Sequence, residues 1–105
     1  MLKYKDKKAI RWVNDGIIYT IKKSDRPDKK LVALYEEGGK IRRIHFGGVR
    51  ANGEPYEHFK DKTGLLDPKL NHGDKERRRL YRARHEPITN FKEPSPSLLS
   101  WFLLW

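Results

Sequence analysis

The last eight residues, Leu98–Trp105, are the most restrictive feature of this sequence. They contain four leucines, two tryptophans and one phenylalanine, and Ser100 is their only polar residue. Burying one large apolar side chain contributes roughly 1.5–3 kcal/mol, so leaving the whole set in water would be costly. The segment can fold back onto a sheet face that bears Ile17, Tyr19 and Ile21, or it can insert into a groove of a neighbouring protein. We expect the first arrangement.

The rest of the chain offers little else for a core. Of the 105 residues 36% are charged and 36% apolar, which is less apolar than an ordinary globular domain. We therefore predict one small domain, and the 12 aromatic residues (3 Trp, 5 Tyr and 4 Phe) argue against full disorder.

The absence of cysteine excludes disulfides, thiolate catalysis and cysteine-bound zinc. We expect no secretory signal in the first ten residues, and the apolar end is too short to span a membrane, which takes about 20 residues.

Residues 1–46 are predicted to be rich in strands. Asn14-Asp15-Gly16 lies between two apolar runs, and Asp-Gly in that setting is a strong signal for a tight hairpin. Short connections favour an antiparallel sheet with one face covered by later segments and the other facing water or a partner. The four predicted strands are Ala9–Val13, Ile17–Lys22, Leu31–Tyr35 and Lys40–Phe46.

Residues 47–73 hold five of the eight glycines and show no periodicity, which predicts a long irregular loop that serves as a binding loop or an extended arm. Its most apolar part, Tyr56–Leu66, could contain a short helical turn. The end of the chain, residues 87–105, is predicted to be a proline-rich connector followed by a short apolar helix. Ser95 is the predicted cap of that helix, and Pro96 is its first residue.

The stretch Asn71–His85 predicts a basic helix, and residues 74–86 are assigned to it in the predicted domain organisation. Six of the twelve residues from Asp74 to His85 are Lys or Arg. Either Asp74 or Asn71 can cap this helix, and Pro87 should end it by moving Glu86 out of helical geometry. The apolar stripe on the helix is narrow, being formed by Leu80, Tyr81 and Ile88. The helix is thus either a solvated face or an arginine-rich docking element. Together these elements predict an α+β fold.

Four groups of residues occur in one order along the second half of the chain. They are Ile44-His45-Phe46-Gly47, the Tyr56–Leu66 segment, His72-x-Asp74 with Arg78, Tyr81, Arg84 and His85, and Leu99-Ser100-Trp101-x-Leu103-Leu104-Trp105. In these residues the chain resembles a family of small basic proteins encoded by large DNA viruses of algae and amoebae, the nucleocytoplasmic large DNA viruses. The resemblance covers about residues 41–105, and residues 1–40 add nothing to it. It implies a viral origin, is compatible with a virion component, and brings no catalytic activity and no known fold with it.

The sequence gives little support to catalysis or metal binding. Histidines 45, 58, 72 and 85 are evenly spaced, but no pair has the close spacing of zinc ligands, although His72 and Asp74 could approach one ion. Arg78, Tyr81, Arg84 and His85 all lie on one short helix, which cannot enclose an active site. We therefore predict no enzyme, no metal, no cofactor and no small-molecule substrate.

The net charge of +10 would attract either an acidic protein surface or nucleic acid. Together with the resemblance, this predicts a structural component of a virus particle, a minor capsid protein that bridges or cements capsid subunits. The expected partners are major and minor capsid proteins of the same virus, in a virion assembled in the infected host cell. The alternative is a virion protein that tethers or condenses the genome, with Trp12, Tyr19 or Tyr35 stacking on bases. The predicted partner-binding residues are Arg77, Arg78, Arg82, Arg84, His85, Trp101, Phe102 and Trp105.

Overall fold

The structure, a computed structural model, describes residues 9–105 and has the predicted α+β fold. The strands are β1 (Ala9–Asn14), β2 (Ile17–Lys23), β3 (Lys29–Glu37) and β4 (Lys40–Gly48), and the helices are α1 (Lys75–His85) and α2 (Pro96–Leu103), with 3-10 turns at Pro68–Leu70 and Glu86–Ile88. The four strands form one antiparallel sheet in the order β1-β2-β3-β4. Within residues 9–105, no helix combines the length and apolarity needed to cross a membrane. The expectation about a secretory signal falls mostly on residues 1–8, which lie outside the described residues.

The predicted hairpin between β1 and β2 is confirmed. Asp15 and Gly16 form a two-residue turn, and both have positive φ angles, of 51° and 78°. Two successive positive φ values match the right-handed twist of the flanking strands, which is why such turns close hairpins. The strands extend up to two residues beyond the predicted ends, because backbone pairing at those ends does not depend on apolar side chains.

The apolar end of the chain packs on the sheet, as expected. The α2 residue Leu99 is fully buried, and Leu103 and Leu104 are nearly so. The sheet residues in contact with this cluster include Tyr19, Ile21, Leu31, Ala33 and Phe46. The predicted cap is also confirmed, since the Ser95 side chain accepts a hydrogen bond from the Leu98 amide at 3.1 Å and Pro96 is the first helical residue. The tail is therefore core, and insertion of this segment into a neighbouring protein is excluded as its main role.

The long loop is bound to the body of the domain, so the extended-arm alternative is wrong. The amides of Lys60 and Lys62 donate to the carbonyl oxygens of Leu104 and Leu103, at 3.1 and 2.9 Å. The expected helical turn also lies elsewhere, at Pro68–Leu70 instead of Tyr56–Leu66. Its position follows from local chemistry, because Asp67 caps the turn through the Lys69 amide and Pro68 presets φ.

Helix α1 begins where predicted, with Asp74 as its cap: one carboxylate oxygen accepts from the amides of Glu76 and Arg77. The helix ends at His85, as the stretch Asn71–His85 predicted. The expectation that Pro87 moves Glu86 out of helical geometry is wrong, since Glu86 keeps helical angles (φ −56°, ψ −46°) and donates its amide to the Arg82 carbonyl. The 3-10 turn that follows takes in Pro87 at a position where no amide donor is required. No residue of α1 is buried, so its narrow apolar stripe contributes little to the core.

Gly16→Val tests the hairpin. A β-branched residue resists positive φ, so the variant should lose more than about 1 kcal/mol of unfolding free energy in a denaturant titration. Gly16→Asn is the matched control, because asparagine tolerates this conformation and should lose much less. Equal losses in the two variants would contradict the turn.

Leu99→Ala tests the assignment of the tail to the core. Leu99 is fully buried, so truncation should cost about 2–5 kcal/mol of unfolding free energy. Leu80→Ala is the control, because Leu80 is 44% exposed and its truncation should cost well under half as much. A variant that ends at Pro94 should fail to fold, whereas a folded truncated chain would show that α2 is dispensable.

Candidate docking surfaces

A groove of about 590 Å³ lies between α1, the end of the chain, the long loop and the last residues of β4. Four of the predicted partner-binding residues line it, namely Arg77, Arg84, His85 and Trp105. The other lining residues are Lys30, Gly47, Gly48, Tyr56, Glu57, Leu80, Tyr81, Ser100 and Leu104. The structure therefore gathers about half of the predicted set around one concave surface.

Three stacked rings form one wall of the groove. Trp105 lies nearly parallel to Tyr81, with ring centroids 4.2 Å apart, and His85 stacks on the opposite face of Tyr81 at 3.9 Å. His85 Nδ1 lies 2.9 Å from the Tyr81 carbonyl oxygen and must carry the proton there, because a carbonyl only accepts. Both faces of Tyr81 are thus covered by rings of the same chain.

Arg78 and Arg82, one helical turn apart on the same face of α1 as Tyr81, also hold Trp105 in this position. Arg78 Nε and one terminal nitrogen of Arg82 donate to the Trp105 carbonyl oxygen, at 2.8 and 3.2 Å. The same guanidinium groups lie over Phe59 and Trp101, with distances to the ring centroids of 4.7 and 4.9 Å. Arg78, Arg82 and Arg84 were predicted to contact carboxylates, backbone carbonyls or phosphates beyond the helix. Arg78 and Arg82 do so, with an acceptor in the same chain, and no such contact of Arg84 is seen within residues 9–105.

The groove is strongly basic. Lys30, Arg77 and Arg84 contribute positive charge, and Glu57 is the single carboxylate in the lining. Arg77 pairs with Glu57 at 3.0 Å, which joins the α1 wall to the loop wall, and this hydrogen bond holds the pKa of Glu57 below its usual range. Arg84 is exposed. The lining therefore carries more cations than its one carboxylate can balance.

A buried polar network forms the base of the groove. Lys30 Nζ donates to the Tyr56 carbonyl and to His58 Nδ1, the latter at 3.0 Å. An ammonium only donates, so His58 Nδ1 accepts and Nε2 carries the proton that is donated to Asn71 Oδ1 at 2.8 Å. The same Asn71 oxygen accepts from the Asp61 amide at 2.8 Å. Asn71 is committed to this network, which explains why Asp74 caps α1.

Two of the predicted partner-binding residues lie away from the groove. Trp101 packs edge-on against Phe91 at 5.0 Å, and Phe102 lies 5.8 Å from Trp12. Both are half-buried and fill the space between the connector, α2 and the sheet. The observed contacts of Trp101 and Phe102 are all within the chain, so these contacts do not support a role in binding a partner.

The outer face of the sheet is the second open surface. Cross-strand pairing places Arg11, Thr20, Leu34 and Arg43 in one row on the face opposite the core. Next to that row, Val13, Ile18 and Ile41 lie on the same face and are 61%, 55% and 65% exposed. The neighbours of these side chains carry both signs of charge, since Arg11 and Arg43 lie in the adjacent row and the exposed Glu36 pairs with Ile41. An exposed apolar pair such as Val13 and Ile18 is a candidate interaction surface.

The aromatic residues that could have stacked on bases lie on the covered face instead. Tyr19 is fully buried, Trp12 packs 5.4 Å from it, and Tyr35 lies 5.5 Å away on the same side. Tyr19 is therefore closed to a base, and Trp12 and Tyr35 are half-buried against it. The two-residue turn sets Trp12 opposite Tyr19, and α2 covers that side.

Each of the four histidines makes at least one hydrogen bond within the chain, and His72 Nε2 is buried without a partner among residues 9–105. His72 Nδ1 accepts from the Asp74 amide at 2.9 Å, and the Asp74 carboxylate caps α1. His45, in β4, bonds Ser24 Oγ at 2.7 Å. Across residues 9–105, no three His, Cys, Asp or Glu side chains are grouped so that they could hold a metal ion.

Several groove residues were not singled out in the sequence. Lys30 and Glu57 are ordinary charged residues of a polar loop and an irregular segment, and nothing in their spacing signals a shared site. Gly47 and Gly48, which also line the groove, were marked as unusual by the sequence because they end the alternating pattern of the fourth strand.

Comparison of the chain with family models, curated proteins and solved structures gives no match.

The buried network predicts a specific loss of stability in acid. Burial, and then the charge of Lys30, lower the pKa of His58 from 6.5 to about 4. The unfolded chain then binds the proton more readily than the folded chain, so stability should fall from pH 6.5 to pH 4, by an amount on the order of 3 kcal/mol. Denaturation across this range measures the loss, and the NMR titration of the His58 ring should have its midpoint near pH 4.

His58→Gln is the matched variant for this prediction. Glutamine can accept from Lys30 and donate to Asn71 but does not titrate. Its unfolding free energy should therefore depend less on pH than that of the wild type between pH 6.5 and 4. The same dependence in both proteins, or an ordinary titration midpoint for His58, would contradict the network.

Proposed function

We propose that this chain is a non-enzymatic structural component of a large DNA virus particle, a minor capsid protein that bridges or cements capsid subunits. The outer sheet face carries this proposal. Val13 and Ile18 are directly paired across β1 and β2 and are more than half exposed. Ile41 lies on the same face but is separated from this pair by β3, where the exposed Glu36 is its cross-strand partner. A capsid subunit with an apolar surface rimmed by carboxylates would complement this patch and the adjacent Arg11 and Arg43.

A bridging protein needs two separate contact surfaces. The outer sheet face lies opposite the core, whereas the groove is formed by α1, the long loop and the end of the chain. One neighbour can therefore occupy the sheet face while another occupies the groove. The resemblance to proteins of large DNA viruses supports the capsid as the setting.

The second candidate is a virion protein that binds the genome. The net charge of +10 and the exposed Arg84 favour it. The covered positions of Trp12, Tyr19 and Tyr35 disfavour it, because binding of single strands depends on free aromatic faces. We therefore place it second.

The variant Val13→Thr with Ile18→Thr tests the capsid proposal. Threonine keeps the β-branched shape but removes apolar contact, so the fold should persist while docking weakens. Quantitative mass spectrometry of purified particles should show at least about a fivefold loss of the protein relative to the major capsid protein. Ile88→Thr is the matched control, because Ile88 is 72% exposed but lies at the end of the α1 segment.

Two outcomes would contradict the proposal. Equal incorporation of the sheet variant and the Ile88 control would remove the sheet face as the docking surface. Tight DNA binding that persists at about 0.2 M salt and gives a footprint would favour the second candidate, since binding by charge alone falls steeply with salt.

A further inference from the structure

The contact between Arg77 and Glu57 is unusual in its position. It joins two walls of a groove whose other charged residues, Lys30 and Arg84, are cationic. Both side chains are about half exposed, and an ion pair of this kind contributes little to stability because solvent screens it. A carboxylate of a ligand can therefore replace Glu57 as the partner of Arg77 at a small cost in free energy.

The remaining cations of the groove have donors to spare. Lys30 Nζ has three N–H donors and uses two of them, on the Tyr56 carbonyl and on His58. Arg84 presents an exposed guanidinium on the side of α1 that lines the groove. A planar guanidinium fork is suited to a carboxylate, with which it makes two parallel hydrogen bonds.

We infer that this groove binds an acidic peptide segment of a partner protein, and that Glu57 occupies the position of one ligand carboxylate when the groove is free. The inference rests on the proposed function, because it names the chemistry of the segment that a capsid neighbour would insert. Glu57 is then an internal competitor, which the ligand displaces from Arg77.

The walls favour a peptide over a nucleic acid strand. Tyr81 is covered on both faces, by Trp105 and by His85, so it cannot stack on a base. Leu80, which is 44% exposed, adds apolar surface to the lining, which suits side chains between the carboxylates of a peptide. A phosphate backbone would use the cations but leave this apolar surface unused.

Binding of a hexaglutamate peptide to the full chain, measured by NMR titration, tests the inference. Glu57→Gln removes the competitor and should raise the affinity by about threefold, the scale of one exposed ion pair. Arg84→Gln should lower the affinity by about fivefold or more. The shifted resonances should belong to groove residues.

Glu76 and Arg79 provide matched controls. They form an exposed ion pair on α1, and neither belongs to the groove lining. Glu76→Gln and Arg79→Gln change the net charge by the same amounts, so they separate a local effect from general attraction to a basic protein. Each should change the affinity by less than about twofold.

The inference would be overturned by equal effects of Glu57→Gln and Glu76→Gln, by resonance shifts outside the groove, or by tighter binding of oligothymidylate than of hexaglutamate at equal ligand charge. Inorganic phosphate that displaces the peptide completely at equal concentration would identify a simple anion site and would also overturn it. Failure of peptide binding with normal particle incorporation would remove this inference alone. If the variant with Val13→Thr and Ile18→Thr is incorporated normally while the peptide still binds, the capsid proposal alone is contradicted.

Discussion

The position of Trp105 determines how the second half of the molecule is assembled. No residue of helix α1 is fully buried, so the narrow apolar stripe of the helix gives it only a small contact with the domain. It is attached instead by the stack of Trp105 on Tyr81 and by two arginines that donate to the Trp105 carbonyl oxygen. Leu103 and Leu104, next to Trp105, belong to the core. The tail thus connects the sheet to α1. The groove lies between α1, the tail and the long loop, so its shape depends on this connection.

Hydrogen bonds hold the long loop in one conformation, whereas apolar contacts hold the sheet against the tail. Lys30, His58 and Asn71 are joined in one buried chain of hydrogen bonds, and Asp61 organises the turn that follows through the amides of Thr63 and Leu66. Such a network stabilises a unique conformation only when each member has its partner. This explains how a segment with many glycines and no periodicity can be ordered in a chain with a small core.

The elements that could be predicted are those fixed by local chemistry. Asp15-Gly16 specifies its turn, Ser95 and Pro96 specify the start of α2, and the apolar end had to be covered. The groove could not be predicted, because it depends on contacts between residues distant in sequence, such as Arg78 with Trp105. The faces of Trp12 and Tyr19 could have been inferred, since a two-residue turn pairs them and the tail was expected on that same face.

A density map of the virus particle would test the central claim most directly, because that claim concerns where the protein lies. We predict that the domain is found between capsid subunits, with Val13 and Ile18 against one neighbour and the groove against a segment of another. Density for the domain against the packaged genome, or contact with a single subunit through neither surface, would contradict this account.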